Sequence, residues 1–382
     1  MARTWPITRP KRIVLAAIDA IGGAVTSLAR RGKSLTPGPL ERILVVELWH
    51  IGDVVLVTPL LRRLRQLFPT AHVTLLAKPQ AEEVLRHSGL VDELVPFDFP
   101  WTATRGKYDL ARYDRPEFSG LMSRLRAARF DLSIDCRMDL RSNILTRAAG
   151  ARRRIGYDFG GGGFLLTDAV PAAPDSRHKV EDWLELLSPL GVRVDSESPP
   201  NPELVVTPEE RDEATRLMRA YGFSEEDLVV AVHPGGSSAT KRWAAENFSV
   251  VAAELVDRHD AKLLVLVNPD GCGADMRLPA ETAFVRTSIR EMMALLEQSD
   301  MLLCNDSGPM HIATALGVPV VAVFRTGNPG WYGPRGIGHI VVGKGAEWGN
   351  VTEVTIEDVM DAADTQLRRV AATQRASRRV AT

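Results

Sequence analysis

The sequence predicts an α/β protein built from two doubly wound, Rossmann-like domains. Three observations carry that reading. From residue 43 onward, short apolar runs of strand length alternate with amphipathic stretches of helix length, the pattern of a parallel sheet covered by helices on both faces. The chain has 382 residues, more than one ordinary core organises, so two domains of similar size are expected. The segment "VDSESPPNPELVVTPEE" is polar and proline-rich, and the alternation stops there and restarts beyond it. The expected division is a basic N-terminal extension over 1–40, an N-terminal domain over 41–195, a linker over 196–206, a C-terminal domain over 207–355, and a closing helix with a basic tail over 356–382.

Taken in order, "RILVVEL" is a buried strand and "VVLVTPLLRRLRQLF" its helix; "HVTLLA" and the helix "QAEEVLRHSG" follow, then the strand "VDELVPFD". The helix "FSGLMSRLRAARF" leads into the strand "DLSIDC" and the helix "RSNILTRAAG". The four glycines at 160–163 in "RRRIGYDFGGGGFLLTDAV" interrupt the rhythm and mark a loop or a hairpin; they lack the G-x-G-x-x-G spacing of a dinucleotide site. "HKVEDWLELLSPLG" has helical apolar spacing. Past the linker, the strands "DLVVAVHPG", "AKLLVLVN", "DMLLCND" and "PVVAVFR" alternate with the helices "AAENFSVVAAELVDRH", "SIREMMALLEQS" and "GPMHIATALG" before the long helix "TIEDVMDAADTQLRRVAA". Ligands of such sheets bind beyond the carboxyl ends of the strands. For two facing domains this predicts a central cleft.

Lys and Arg number 47 and Asp and Glu 48, so no overall field recruits nucleic acid. Cys136, Cys272 and Cys304 lie far apart without metal-ligand spacing, a reduced, cytoplasmic pattern. The N-terminus departs from the even charge. Arg3, Arg9, Lys11 and Arg12 precede "IVLAAIDAIGGAVTSLA", and Arg30, Arg31 and Lys33 follow it. The apolar run is too short and too interrupted to span a bilayer, and a signal peptide would need a more convincing small-x-small cleavage site than the run offers before the basic cluster. Two readings stand: a helix packed on the first domain, or a basic amphipathic helix lying on an anionic membrane surface on the inner face of the cytoplasmic membrane.

Three strand-to-helix turns offer chemistry. "WHIGDVV" holds Gly52 and Asp53 after the first strand; the acid either caps the following helix or works as a base. "HPGGSSATKRW" holds Gly235 and Gly236, which permit close backbone approach, with Thr240 and Lys241 behind them. It reads either as a phosphate-binding turn or as a solvated loop, and it lacks Walker spacing. "CNDSGPMH" holds Asp306, Ser307, Gly308 and His311 at a helix start, where free N–H groups and the dipole favour an anion. The plain alternatives there are an ordinary cap and a core imidazole.

Together these stretches carry a resemblance. "ILVVELWHIGDVVLVTPLLRRLRQLFP", "VVAVHPGGSSATKRWAAENF" and "DMLLCNDSGPMHIATALGVPVVAVF" resemble glycosyltransferase family 9, the heptosyltransferases of the lipopolysaccharide inner core, in order, spacing and context. The likeness runs over roughly residues 41–370 and leaves the first forty outside. It implies a GT-B fold and an inverting transfer from a nucleotide-diphosphate sugar, ADP-heptose first, to a hydroxyl of a lipid-linked envelope glycan. It also implies no cofactor and no metal; independently, the chain has no Asp-x-Asp pair. By the same resemblance Asp53 is the general base and Lys241 neutralises the leaving diphosphate. Ser307, Gly308 and His311, with Asp306 beside them, hold the donor, Thr240 more weakly. Trp243 is expected to pack beneath the lysine loop.

The chain departs from the family pattern at "NPDGCGADM", where Asp270 or Asp275 is the candidate ribose contact. The segment bearing Trp101, Arg105, Lys107, Tyr108, Arg112 and Tyr113 suits either an acceptor-binding loop or a solvated surface. Other readings are a nucleotide-sugar epimerase of the same fold, transfer to a small molecule, and a non-catalytic nucleotide-sugar-binding protein. A dinucleotide oxidoreductase is disfavoured by the missing glycine fingerprint.

Overall fold

The computed structural model describes residues 40–372 except 103–113, 160, 172–176, 194–199, 337, 344 and 346–350, with residues 15, 17–19 and 22 ahead of them and helical backbone on to 380. The basic residues of the N-terminal extension, Gly160, part of the linker, the tail side chains, and Arg105, Lys107, Tyr108, Arg112 and Tyr113 therefore lie outside the described residues.

The chain divides into Met1–Pro200 and Asn201–Thr382. Among the described residues the first unit carries β1 (Arg42–Glu47), β2 (His72–Ala77), β3 (Glu93–Pro96), β4 (Leu132–Asp135), β5 (Arg153–Tyr157) and β6 (Asp168–Val170), in the order β3-β2-β1-β4-β5-β6. The second carries β7 (Leu228–His233), β8 (Ala261–Leu266), β9 (Ala283–Val285), β10 (Met301–Asn305), β11 (Val320–Val323) and β12 (Ile340–Val342), in the order β12-β11-β10-β7-β8-β9. The two sheets follow one path. The chain starts in the middle, builds outward to one side, then crosses back and builds to the other. The winding direction reverses between β1 and β4, and between β7 and β10. Val46 is registered with Asp135, and His233 with Cys304. The strands are buried because helices cover both faces, and β1 and β7 each read as nearly continuous apolar runs.

Three local expectations are corrected, and of the two readings of the glycine segment the loop holds. The first helix is two, Ile51–Leu56 and Thr58–Leu67. Pro59 has no N–H to give Val55, and the Thr58 hydroxyl donates to the Val55 carbonyl at 2.7 Å instead. The "QAEEVLRHSG" helix is only Ala81–Leu85, and the chain leaves it through His87 in the left-handed region at φ 68°. The "HKVEDWLELLSPLG" helix stops at Glu185, and a 3₁₀ turn, Ser188–Leu190, restarts around Pro189. The glycine segment is no hairpin, since β5 and β6 pair in parallel. Gly162, at φ 81°, is required there twice over: a Cβ would lie 2.8 Å from Leu140.

The described residues of the N-terminal extension are helical, and Asp19 accepts the Gly162 N–H at 2.7 Å. This tie belongs to the first of the two readings of that segment. Among the described residues no helix is long and apolar enough to cross a membrane.

Candidate functional site

Two constellations lie at the reversal points, one in each unit. In the first, the chain leaves β1 at Glu47 and turns through Leu48–His50 into the helix Ile51–Leu56. Asp53 is the third residue of that helix, half-buried, with Gly52 buried before it. Its Oδ2 accepts the His50 N–H at 3.1 Å, so the carboxylate does serve the helix start.

Three charged side chains that sequence reasoning passed over surround this turn. Glu47 is fully buried; its Oε1 accepts the Trp49 N–H at 2.9 Å, and its Oε2 has no hydrogen-bond partner among the described residues. Burial raises its carboxyl well above the ordinary range, and the charges of Asp53 and Asp135 add to that. Asp135 ends β4 and accepts from Ser142 Oγ at 2.6 Å and from the Arg137 N–H at 2.9 Å. Burial nevertheless pushes its carboxyl up to about 7. Arg137 is 3% exposed, with its guanidinium stacked 3.8 Å over the Trp49 ring and Nη1 donating to the Leu48 carbonyl at 3.4 Å. The only sequence signal was an acid at the last position of a core strand, twice: Glu47 in "RILVVEL" and Asp135 in "DLSIDC".

These shifts carry a stability signature. Asp135 holds its proton more tightly folded than unfolded, so its contribution is full below about pH 4 and is lost as pH rises through about 7. We expect the wild type to lose roughly 2–3 kcal/mol between pH 5 and pH 8 from this group alone. Asp135→Asn should flatten that decline by this amount in urea unfolding. An unchanged slope would show that Asp135 titrates normally.

In the second unit, β7 runs into the turn that carries Gly235, Gly236, Thr240 and Lys241, and β10 beside it runs into Asp306 and Ser307. Asn305 fastens the two turns together. Its amide donates to the Pro234 and Gly235 carbonyls at 2.8 and 3.2 Å, and its Oδ1 accepts the Trp243 N–H at 2.9 Å. Lys241 Nζ then reaches Asp306 Oδ2 at 2.6 Å, with the lysine 21% and the aspartate 6% exposed. Burial raises the Asp306 carboxyl and the Lys241 charge pulls it back. Ser307 is the N-cap of the helix Gly308–Ala315 but makes no side-chain cap bond. Its hydroxyl lies 3.3 Å from His233 Nδ1 instead. Burial holds the His233 imidazole down to about 4, so it is neutral at physiological pH. Gly308 opens the helix, and His311 is buried one turn in.

The sequence-predicted residues thus separate into two kinds. Lys241, Asp306, Ser307 and the Gly235–Gly236 turn come together at one pair of strand ends. Thr240 is exposed on the rim, its hydroxyl 3.0 Å from Ser238 Oγ. Gly235 has a packing reason for lacking a side chain, since a Cβ would meet Asn268 at 2.7 Å. Trp243 is core: 3% exposed, edge-on to Phe248, and donating to the Val354 carbonyl at 2.9 Å. Asp270 is engaged in holding its own loop, accepting from Asn268 at 2.6 Å, Arg242 at 2.5 Å and the Cys272 N–H at 3.2 Å. The bonds from Asn268 and Arg242 hold its carboxyl well below the usual range. Asp275 is exposed.

In chemical terms, the second site is a ready anion cradle: a lysine held in place, a serine hydroxyl not used as a cap, and a helix start. The first offers a carboxylate at a strand end, backed by buried acids and an arginine.

Comparisons with known proteins bear on the fold and the family. The lipopolysaccharide core heptosyltransferase OpsX of Haemophilus influenzae is 23% identical over 300 residues, covering 76% of this chain and 80% of the relative. A glycosyltransferase family 9 structure from Veillonella parvula superposes with a TM-score of 0.71 at 24% identity, covering 87% of this chain and 99% of the other. The ADP-heptose lipopolysaccharide heptosyltransferase II of Escherichia coli does so with a TM-score of 0.68 at 20% identity, covering 86% and 99%. The fold is therefore GT-B, two Rossmann-like domains in one chain. The profile of glycosyltransferase family 9 (heptosyltransferase) matches residues 119–362, a span that includes Lys241, Asp306 and His311 and more than half of the chain. The chain belongs to that family and is a glycosyltransferase.

Proposed function

We propose that the enzyme transfers heptose from ADP-heptose to a hydroxyl of a lipopolysaccharide-core sugar, with inversion and without a metal. Lys241, Ser307, Gly308 and His311 bind the donor diphosphate and sugar, Asp306 holds Lys241, and Thr240 lies at the rim. Asp53 accepts the proton of the attacking hydroxyl as that oxygen bonds to the anomeric carbon and the diphosphate leaves with the bonding pair. One base opposite one departing anion is sufficient for an inverting displacement.

The observation that carries this reading is the second-unit cradle: Lys241 Nζ fixed 2.6 Å from buried Asp306, beside a serine hydroxyl turned away from capping its own helix. A lysine presented this way suits the charge that grows on a leaving diphosphate. The names of the relatives, a lipopolysaccharide core heptosyltransferase and an ADP-heptose enzyme, support the choice of donor and acceptor. The test is a thermal-shift panel with ADP, GDP, UDP, dTDP and CMP. At a hundred times its dissociation constant a ligand stabilises by ~2.7 kcal/mol, and ADP alone should produce that shift. A shift with UDP or GDP in its place would overturn the donor assignment.

A further inference from the structure

The turn before Asp53 contains a tryptophan whose setting differs from that of the core tryptophans. Trp183, Trp243 and Trp331 are 1%, 3% and 6% exposed, whereas Trp49 is half-buried in the turn between a strand end and Asp53. It is nonetheless held from two directions. Glu47 accepts its backbone N–H at 2.9 Å, and the Arg137 guanidinium covers its ring at 3.8 Å from the centroid. The same arginine reaches the Leu48 carbonyl, and its own N–H is fixed by Asp135. A planar guanidinium on an aromatic face is a favourable contact, and stronger when it is desolvated as here.

A tryptophan fixed by buried groups but open in part to solvent makes a flat apolar surface with little rotamer entropy left to lose on contact. Its place fits one use. Strand ends at a winding reversal are where doubly wound sheets bind ligands, and Asp53 follows four residues later in the same turn and helix. We propose that Trp49 is the platform on which the acceptor sugar ring stacks, and that Arg137 is the positioning residue that sets the plane of the ring. The ligand class is a pyranose whose C–H face covers the indole while its hydroxyl edge faces Asp53. This rests on the proposed role of Asp53 as the base at the acceptor hydroxyl, and names the residue that selects the acceptor beside it. Glu47 holds the main chain of the same residue through the Trp49 N–H.

The experiment is a steady-state transfer assay with ADP-heptose and, as acceptor probes, core oligosaccharides of deacylated lipopolysaccharide, one heptose-free and one heptose-bearing. It compares the wild type with Trp49→Ala, Trp49→Phe and Arg137→Lys. Trp49→Ala should raise the acceptor KM by about tenfold, the loss of one stacked apolar face, with the donor KM unchanged. Trp49→Phe should restore the acceptor KM to within about threefold of wild type, because an aromatic face is retained. Arg137→Lys keeps the charge but not the planar stack. It should raise the acceptor KM while leaving the ADP thermal shift intact, a split that a general loss of folding would not give. An unchanged acceptor KM in Trp49→Ala overturns the inference while leaving the proposed reaction standing. Absence of transfer by the wild type overturns the acceptor assignment itself, and the inference with it.

Discussion

Asp53→Asn is expected to lower kcat by about 10²–10⁴, the range that general-base help contributes, with the affinity for ADP unchanged. Asparagine is the informative substitution because Asp53 has a structural task as well. Its Oδ2 accepts the His50 N–H at 3.1 Å, and an asparagine carbonyl can accept that same bond. The variant therefore keeps the helix start and removes the group that can take a proton. Loss of the negative charge at the helix N-terminus should cost only ~0.3–1 kcal/mol, which thermal unfolding would register separately. Near-normal turnover in a well-folded Asp53→Asn protein would leave the carboxylate as a cap and send the search for a base elsewhere.

The second large effect is expected at Lys241. Removing a charged hydrogen-bond donor to a phosphate costs about 1.5–3 kcal/mol, so Lys241→Met should weaken ADP binding by roughly 10- to 150-fold and abolish its thermal shift at moderate concentration. The salt bridge to Asp306 complicates the single variant, because it leaves a carboxylate that is 6% exposed without its counter-charge. Breaking a buried pair from one side costs about 3–5 kcal/mol; the 21% exposure of the lysine puts the expected figure below that. The loss should grow as pH rises, since burial already raises the Asp306 carboxyl and Lys241 is what pulls it down. Without Lys241 the folded protein binds this proton more tightly than the unfolded chain. Stability is then full at acid pH and declines as pH climbs through the raised value. Asp306→Asn and the double variant resolve the roles. If Lys241 meets the diphosphate, the double variant recovers stability but not ADP binding. If Lys241 only neutralises Asp306, the double variant binds ADP as the wild type does.

The two domains were legible because parallel strands buried on both faces write themselves as apolar runs. The turns were legible because glycine, proline and small polar residues cluster where a strand hands over to a helix. What stayed hidden depends on which strands are neighbours. Lys241 and Asp306 are 65 residues apart, Asn305 and Pro234 71, and Arg137 and Leu48 89. Each pair meets only because the winding reverses between β7 and β10 or between β1 and β4. The sequence therefore presents Lys241 and Asp306 as two separate ligand contacts, and the fold makes them one ion pair. Glu47 was obscured differently. A charged residue that ends an apolar run reads as the strand meeting solvent, yet the flanking strands and helices leave it no exposure at all. Asp270 was half legible. The departure from the family pattern marked it as a candidate ribose contact, and its task of holding Arg242 and Asn268 appears only in the fold.

The most direct test of the proposed reaction is proton NMR of the product made by the wild-type enzyme from ADP-heptose and whichever core oligosaccharide, heptose-free or heptose-bearing, it accepts. The expected result is one new heptosyl residue whose anomeric configuration is opposite to that of the donor, with free ADP released in equal amount. A product that retains the donor configuration would contradict a single in-line displacement assisted by Asp53.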